Sequence, residues 1–297
     1  MLVFAAPGQG SQSQGFLAPW IEASPGLANR LAALSDACDR DLIQLGSVAN
    51  EDTIRQTDNA QRLIVGSALA IYREFFQGKA EAVVGHSVGE FAAAAIAGII
   101  SDEDAMRLVS VRADAMAKAA ALEATTMAAI LGGEPGEVEA KISASGLYSA
   151  NFNGAGQLVA AGSKENMAKL VANPPEKARV IELKVAGAFH TPYMAQAVEE
   201  LAVASAEVVA NDSEIPIWTN FDGSQVDSGS TFLEHMVAQT ARPVRWDLCM
   251  EQLSKEGAKV VELPPAGALA GLIKRGAPGA SALALKNLED IAKVDSL

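Results

Sequence analysis

Cysteine, histidine and aromatic residues are scarce in this chain of 297 residues, and each scarcity narrows what the chain can be. Two cysteines, Cys38 and Cys249, cannot build a disulfide framework. Both lie among apolar neighbours and read as buried free thiols, the usage expected of a cytoplasmic protein. Three histidines and two cysteines offer no ligand spacing for a metal, and none is expected. Basic residues are also short: 23 Lys and Arg against 36 Asp and Glu give a formal net charge of −13. A nucleic-acid partner needs a basic face, and the balance argues against one. A small anionic substrate is not, because one well-placed arginine acts locally. No apolar run approaches the roughly 20 residues that cross a bilayer; the longest lies near residues 91–100. No basic segment precedes the apolar start Leu2–Ala6, so no signal peptide is expected.

What remains is ordinary globular material, 49% apolar and 20% charged, of a length that suits one large domain or two unequal ones. Its most informative stretch is Glu81–Glu90. Ala82, Val83 and Val84 read as a buried strand, Gly85-His86-Ser87-Val88-Gly89 fits G-x-S-x-G, and Phe91–Ile100 reads as a buried helix. Glycines at 85 and 89 leave room for a sharp turn that lifts the Ser87 hydroxyl above a sheet edge. The following helix aims its N-terminal N–H groups at the same spot. Ser87 is the candidate nucleophile; the alternative is a plain tight turn.

Met1–Ala6 is a strand, and Pro7–Gln12 a turn in which glycines on either side of Gln9 leave its N–H uncrowded. If the two strands are parallel neighbours, this loop reaches the same sheet edge as Ser87 and supplies a second oxyanion donor. Residues 16–80 read as helical scaffold, with Leu27–Cys38 and Ala60–Phe76 as the longer helices; Gln61 and Arg62 there read as surface or capping residues. Ser101–Asp104 is a helix start of the S-x-x-D kind. The helix it opens carries Arg112 close to its apolar face. That arginine is either a solvated residue or a fork for a carboxylate, and the pattern leaves both open.

From Thr126 to Val185 the pattern becomes β-α-β-β-α-β: Thr126–Leu131, Glu137–Ser145, Tyr148–Asn153, Gln157–Ala161, Lys164–Ala172, Arg179–Val185. That is the ferredoxin-like order, read as a subdomain inserted in an α/β chain. The chain returns through Gly187-Ala188-Phe189-His190. Of the histidines, His235 on Phe232–Ala238 reads as surface and His86 as pointing away from the serine. His190, in a loop between elements, is the one placed for catalysis. Ile215–Asp222 reads as strand and turn, and Val260–Leu263 as the final buried strand.

Five segments in this order resemble the malonyl-CoA:acyl carrier protein transacylases of fatty acid and polyketide synthesis: Pro7–Gln12, Gly85–Glu90, Arg112, Asn151-Phe152-Asn153 and Gly187–His190. The resemblance covers essentially the whole chain. It implies an α/β-hydrolase-like domain with a parallel sheet, residues 1–123 and 188–297, and a ferredoxin-like subdomain, residues 124–187. It further implies a malonyl-serine ester on Ser87 with His190 as base, backbone N–H groups of Gln9 and Val88 as oxyanion hole, and Arg112 on the malonyl carboxylate. Phe189, Asn153, Gln61 and His86 are carried over as substrate-binding, with Phe189 crowding an α-methyl branch and so favouring malonyl over methylmalonyl. A carbonyl near the Arg242–Trp246 loop, represented by Val244 and Arg245, is expected to orient His190, although many relatives carry glutamine where Arg245 stands. Lys274 and Arg275 are the expected docking cations for an acidic carrier protein. No cofactor is implied beyond the donor malonyl-CoA and the carrier's phosphopantetheine, and a monomer is the default.

Two rivals differ in class. An α/β-hydrolase esterase shares the elbow but runs serine, acid, histidine, with the histidine late in the chain; here about a third of the chain follows His190. A non-catalytic scaffold for acyl carriers has no need to keep Ser87 and His190 together.

Overall fold

A computed structural model describes residues 1–297. Its strands are, in chain order, β1 (Leu2–Ala6), β2 (Ala82–Gly85), β3 (Thr125–Gly132), β4 (Tyr148–Gly154), β5 (Gln157–Ser163), β6 (Ala178–Glu182), β7 (Ile217–Trp218), β8 (Lys259–Glu262) and β9 (Ser281–Ala284). They form two sheets. The first is wholly parallel, in the order β7-β2-β1-β8-β9. The second is antiparallel, in the order β4-β5-β3-β6.

Alternation explains why the central parallel strands carry almost no polar residue. Successive side chains of a strand point to opposite faces. Phe4, Ala6, Val83 and Val261 enter the larger apolar cluster, whereas Val3, Ala5, Val84 and Val260 enter a smaller one on the other side. Helices cover both faces, so both sets must be apolar. The pairing of Ala6 with Gly85 brings the ends of β1 and β2 side by side, and the Pro7–Gln12 loop and the serine turn leave the same edge. Val260–Leu263 is not the last strand. The short β9, part-buried beside β8, follows it and forms the edge of the sheet.

The antiparallel sheet follows the expected β-α-β-β-α-β succession, except that its last strand ends at Glu182 rather than Val185. Helices Pro135–Ala144 and Lys164–Ala172 cover one face through Val138, Ile142, Met167 and Leu170. The other face, with Met127, Val159 and Ala161, packs on Met116, Ala119 and Phe189 of the larger body.

The long helix Asp102–Leu122 joins these parts, entering the larger apolar cluster through Met106 and Val109 and the one under the antiparallel sheet through Met116 and Ala119. Ser101 caps Asp102–Leu122, its Oγ accepting the Asp104 N–H at 2.9 Å, a contact that stabilises a helix by about 1 kcal/mol. The neighbouring helix Thr57–Phe75 is buried along most of its length. This corrects the reading of Arg62 as a surface or capping residue. Its side chain is 3% exposed and donates to both carboxylate oxygens of Asp114 at 2.9 and 2.8 Å, as well as to the Cys38 and Asp58 carbonyls. His235 is likewise no free surface residue. It is half-buried and stacks on Phe221 with ring centroids 4.3 Å apart. Cys38 and Cys249 are buried free thiols. No helix is long and apolar enough to cross a membrane.

Candidate active site

The serine turn is built by contact as much as by conformation. A Cβ on Gly85 would stand 2.3 Å from the Glu90 nitrogen, and one on Gly89 would stand 2.2 Å from the Ala6 carbonyl oxygen. Only glycine admits this approach of β1, β2 and the helix Gly89–Ile96. Between them Ser87 takes φ 53°, in the left-handed region, and its N–H donates to Asn220 Oδ1 at 2.7 Å.

His190 arrives from the loop after β6, also left-handed at φ 60°. Its Nε2 lies 2.7 Å from Ser87 Oγ, and its Nδ1 lies 2.9 Å from the Gln239 carbonyl oxygen. A carbonyl only accepts, so Nδ1 carries the proton and Nε2 is left to accept from the serine hydroxyl. Burial, then the positive charge of Arg112, pushes the His190 pKa down to about 3. The imidazole is neutral at physiological pH and available as a base.

The orienting carbonyl therefore comes from Gln239, at the end of helix Gly229–Gln239, and not from Val244 or Arg245. Val244 is tied to β4 instead, exchanging backbone hydrogen bonds with Ala150 and Phe152 at 2.9 Å each. Arg245 pairs with Asp247 at 2.8 Å and lies over the Phe152 ring. The physical reason is that β4 captures the loop as an added bridge at Asn151–Val244, so the Val244 carbonyl is taken by the Phe152 N–H and the Arg245 carbonyl by the Cys249 N–H.

Arg112 is 1% exposed. Its Nη1 donates to Gln61 Oε1 at 2.6 Å, and its Nη2 lies 3.3 Å from Ser87 Oγ and 3.5 Å from Gln239 Oε1. Its buried Nε has no partner, and no carboxylate forms an ion pair with it. Burial lowers its pKa to about 10, with Glu90 opposing, so it is still a cation at neutral pH. A buried guanidinium without a counter-ion is costly unless an anion joins it. Of the two readings open in the sequence, the solvated residue does not hold, since the guanidinium is buried.

Gln61 is not a surface residue: it is buried, accepts from Arg112, and donates to Met116 Sδ at 3.4 Å. His86 points away from the serine, with its ring 5.4 Å from that of Trp246 and its Nε2 3.1 Å from Asn153 Oδ1. A cavity of about 470 Å³ brings Ser87, His190, Arg112, Gln61, Phe189 and His86 together with Asn153 and Gln9. The N–H groups of Gln9 and Val88 donate to no protein acceptor, and both residues line the cavity beside Ser87. Lys274 and Arg275 lie outside it, exposed in the last turn of helix Ala268–Gly276, whose Ala268, Leu269 and Leu272 line the wall.

Sequence reasoning passed over Asn220, Gln239 and Glu90. A polar residue just past β7, the parallel neighbour of β2, was the available sign for Asn220. Glu90 stood inside the motif without a role. Gln239 acts partly through its backbone, which leaves no sign in a sequence.

An activated serine above a parallel sheet, facing a cavity with a buried cation, can form and transfer an acyl ester. A model described as the acyl transferase domain matches residues 3–288, which is the class that fold and site define. The malonyl CoA-acyl carrier protein transacylase of Mycobacterium tuberculosis is 44% identical over 303 residues, covering 100% of both chains. That of Escherichia coli is 32% identical, covering 92% of this chain and 91% of its own. The crystal structure of MCAT from M. tuberculosis matches with a TM-score of 0.94 at 43% identity, covering 99% of each chain. A malonyl-transacylase solved in complex with its type II PKS acyl-carrier protein matches with a TM-score of 0.92 at 27% identity, covering 99% of this chain and 98% of its own. The chain belongs to the acyl transferase family and, within it, to the malonyl CoA-acyl carrier protein transacylases.

Proposed function

We propose that this chain moves a malonyl group from malonyl-CoA to the phosphopantetheine thiol of an acyl carrier protein, through a malonyl ester on Ser87. In the first half-reaction His190 Nε2 takes the hydroxyl proton as Ser87 Oγ attacks the thioester carbon. The tetrahedral oxyanion is held by the N–H groups of Gln9 and Val88; one such donor lowers the barrier by about 3 kcal/mol. Collapse breaks the carbon–sulfur bond, and the CoA thiolate leaves with the proton held by His190. In the second half, His190 takes the proton of the carrier's thiol, the sulfur attacks the ester carbon, and the proton returns to Ser87 as the thioester departs.

The observation that carries this reading is Arg112, a buried cation without a counter-ion 3.3 Å from the nucleophile. A malonyl thioester brings both the carbonyl that Ser87 needs and the carboxylate that Arg112 needs. An ester without a second carboxylate leaves the guanidinium unpaired, which argues against a general esterase. Phe189 in the cavity wall suits malonyl over an α-methyl branch. Two exposed cations that also line the cavity, Arg55 and Lys184, suit the phosphates of coenzyme A. We read the parallel body as an α/β-hydrolase-like domain of residues 1–123 and 188–297, and residues 124–187 as a ferredoxin-like subdomain. The strand order β4-β5-β3-β6 supports the latter. A cytoplasmic monomer that docks its carrier through Lys274 and Arg275 completes the proposal.

The test is intact mass after mixing with malonyl-CoA or acetyl-CoA. Wild type takes up malonyl and not acetyl; Ser87→Ala takes up neither, and Arg112→Ala loses the malonyl adduct. An acetyl adduct on wild type equal to the malonyl one, surviving Arg112→Ala, overturns the clamp. Release of CoA without any adduct points to a hydrolase.

A further inference from the structure

Behind the serine and histidine lies a carboxyl group that the reaction above does not use. Glu90, in the first turn of helix Gly89–Ile96, is fully buried. Its Oε1 accepts the Asn220 N–H at 2.6 Å, and its Oε2 accepts from Gln239 Nε2. Each of these neighbours continues to one of the reacting residues. Asn220 Oδ1 accepts the Ser87 N–H at 2.7 Å while its Nδ2 donates to the Gly85 carbonyl at 2.8 Å, holding the turn on both sides of the nucleophile. The Gln239 carbonyl holds His190 Nδ1 at 2.9 Å. One carboxyl group thus joins the loop after β7 to the end of helix Gly229–Gln239.

We propose that Glu90 is a positioning residue for acyl transfer, which sets the Ser87 backbone against the His190 imidazole by holding Asn220 and Gln239 from a single carboxyl group. The proposal rests on the Ser87–His190 reading above.

Charge alone is not the reason for a carboxyl here, since burial pushes its pKa up to about 8. The reason is that both of its oxygens accept, and an amide has only one oxygen. An amide at position 90 sets its NH₂ against either the Asn220 N–H or the Gln239 NH₂. Gln239 cannot absorb the mismatch by turning over, because its Oε1 faces Arg112 Nη2 at 3.5 Å and turning would set NH₂ against the guanidinium. Protonation of Glu90 does not reproduce the fault, because a carboxylic acid hydroxyl still accepts. The mismatch therefore passes to Gln239, and through its backbone to His190. Displacing reacting groups by about 1 Å costs on the order of 100-fold in rate.

The experiment compares wild type and Glu90→Gln, both as the full chain. Acylation by malonyl-CoA is followed by rapid quench and intact mass, the His190 ring N–H by proton–nitrogen spectra, and folding by thermal melts. In Glu90→Gln we expect the saturating acylation rate to fall about 10- to 100-fold, with the half-saturating malonyl-CoA concentration within about twofold and a moved His190 resonance. A wild-type rate in Glu90→Gln overturns the proposal. So does a rate that falls only in proportion to folded protein, with the His190 resonance unmoved. Ser87→Ala is the separate control: an adduct persisting there removes the serine reading itself, whatever Glu90 does.

Discussion

Ser87 and His190 meet at 2.7 Å from two left-handed backbone positions, φ 53° and φ 60°. A side chain other than glycine held there costs of order 1–3 kcal/mol and persists only where its surroundings fix it. For Ser87 those surroundings are Asn220 and the two close-packed glycines. For His190 they are the Ala188 N–H held by Thr125 Oγ1 at 3.0 Å and the Thr191 hydroxyl donating back to the Ala188 carbonyl at 2.6 Å. The two side chains are each aimed by a strained turn, and the strain is held outside the serine hydroxyl and the imidazole.

The depressed pKa of His190 gives a pH prediction. Burial and then Arg112 bring it to about 3, against about 6.5 in an unfolded chain. Between those values the unfolded chain binds a proton that the folded chain refuses. The contribution to stability is therefore complete above about pH 6.5 and is lost as pH falls toward 3. Ring-nitrogen spectra should find His190 neutral at about pH 5, where an ordinary histidine is charged. Arg112→Gln removes the second cause and should move the titration upward. A wild-type midpoint near 6.5 would contradict both statements.

Gly89 gives a stability prediction. In Gly89→Ala the new methyl meets the Ala6 carbonyl oxygen at 2.2 Å, a backbone atom of the central strand that has no rotamer to yield. We expect a loss of about 3 kcal/mol or more in denaturant melts, together with slower acylation of Ser87 two residues away. A variant as stable as wild type would mean that β1 gives way easily, and the contact account of this glycine would fail.

Much of the site was legible because its signals are local. The G-x-S-x-G turn declares itself between an apolar strand and an apolar helix, and β1 and β2 align as parallel neighbours once both are read as buried. Gln61 and Arg62 were misplaced for the opposite reason. Polar residues on a helix suggest a solvated face, yet Thr57–Phe75 is enclosed on most sides by elements distant in the chain. The short β9 was missed because Ser281–Ala284 is a half-buried edge with little pattern. The resemblance points to a carbonyl near Val244 and Arg245, but a backbone acceptor has no residue type, and only the fold assigns it to Gln239.

The Arg62–Asp114 pair should respond unequally to its two deletions. Arg62 is 3% exposed and also satisfies the Cys38 and Asp58 carbonyls, whereas Asp114 is 46% exposed and can hydrate. Arg62→Ala strands buried acceptors and should cost about 2–3 kcal/mol. Asp114→Asn keeps an accepting oxygen but leaves the buried guanidinium without a counter-ion, and should cost less, about 1–2 kcal/mol. Arg62→Lys should recover little, because an ammonium lacks the planar fork that meets both Asp114 oxygens. Urea midpoints of the three variants decide it, and equal losses at both positions would show that the ion pair, not the buried guanidinium, is what matters.

Carrier docking is the part of the proposed function farthest from the reacting atoms, and it can be separated from them. The chain carries a net charge of −13, so an acidic carrier is repelled overall and must find a local cation. Lys274 and Arg275 end the helix whose first turns form part of the cavity wall. They also sit at a helix C-terminus, where cations are favoured by the dipole. Replacement by alanine therefore has to accompany charge reversal, to set aside loss of the helix end. We expect reversal to lower transfer to carrier protein about tenfold at low salt, with the deficit shrinking as salt screens it. Acylation by malonyl-CoA should stay at its wild-type rate. Equal loss in both half-reactions, or a deficit indifferent to salt, would place the carrier on another face.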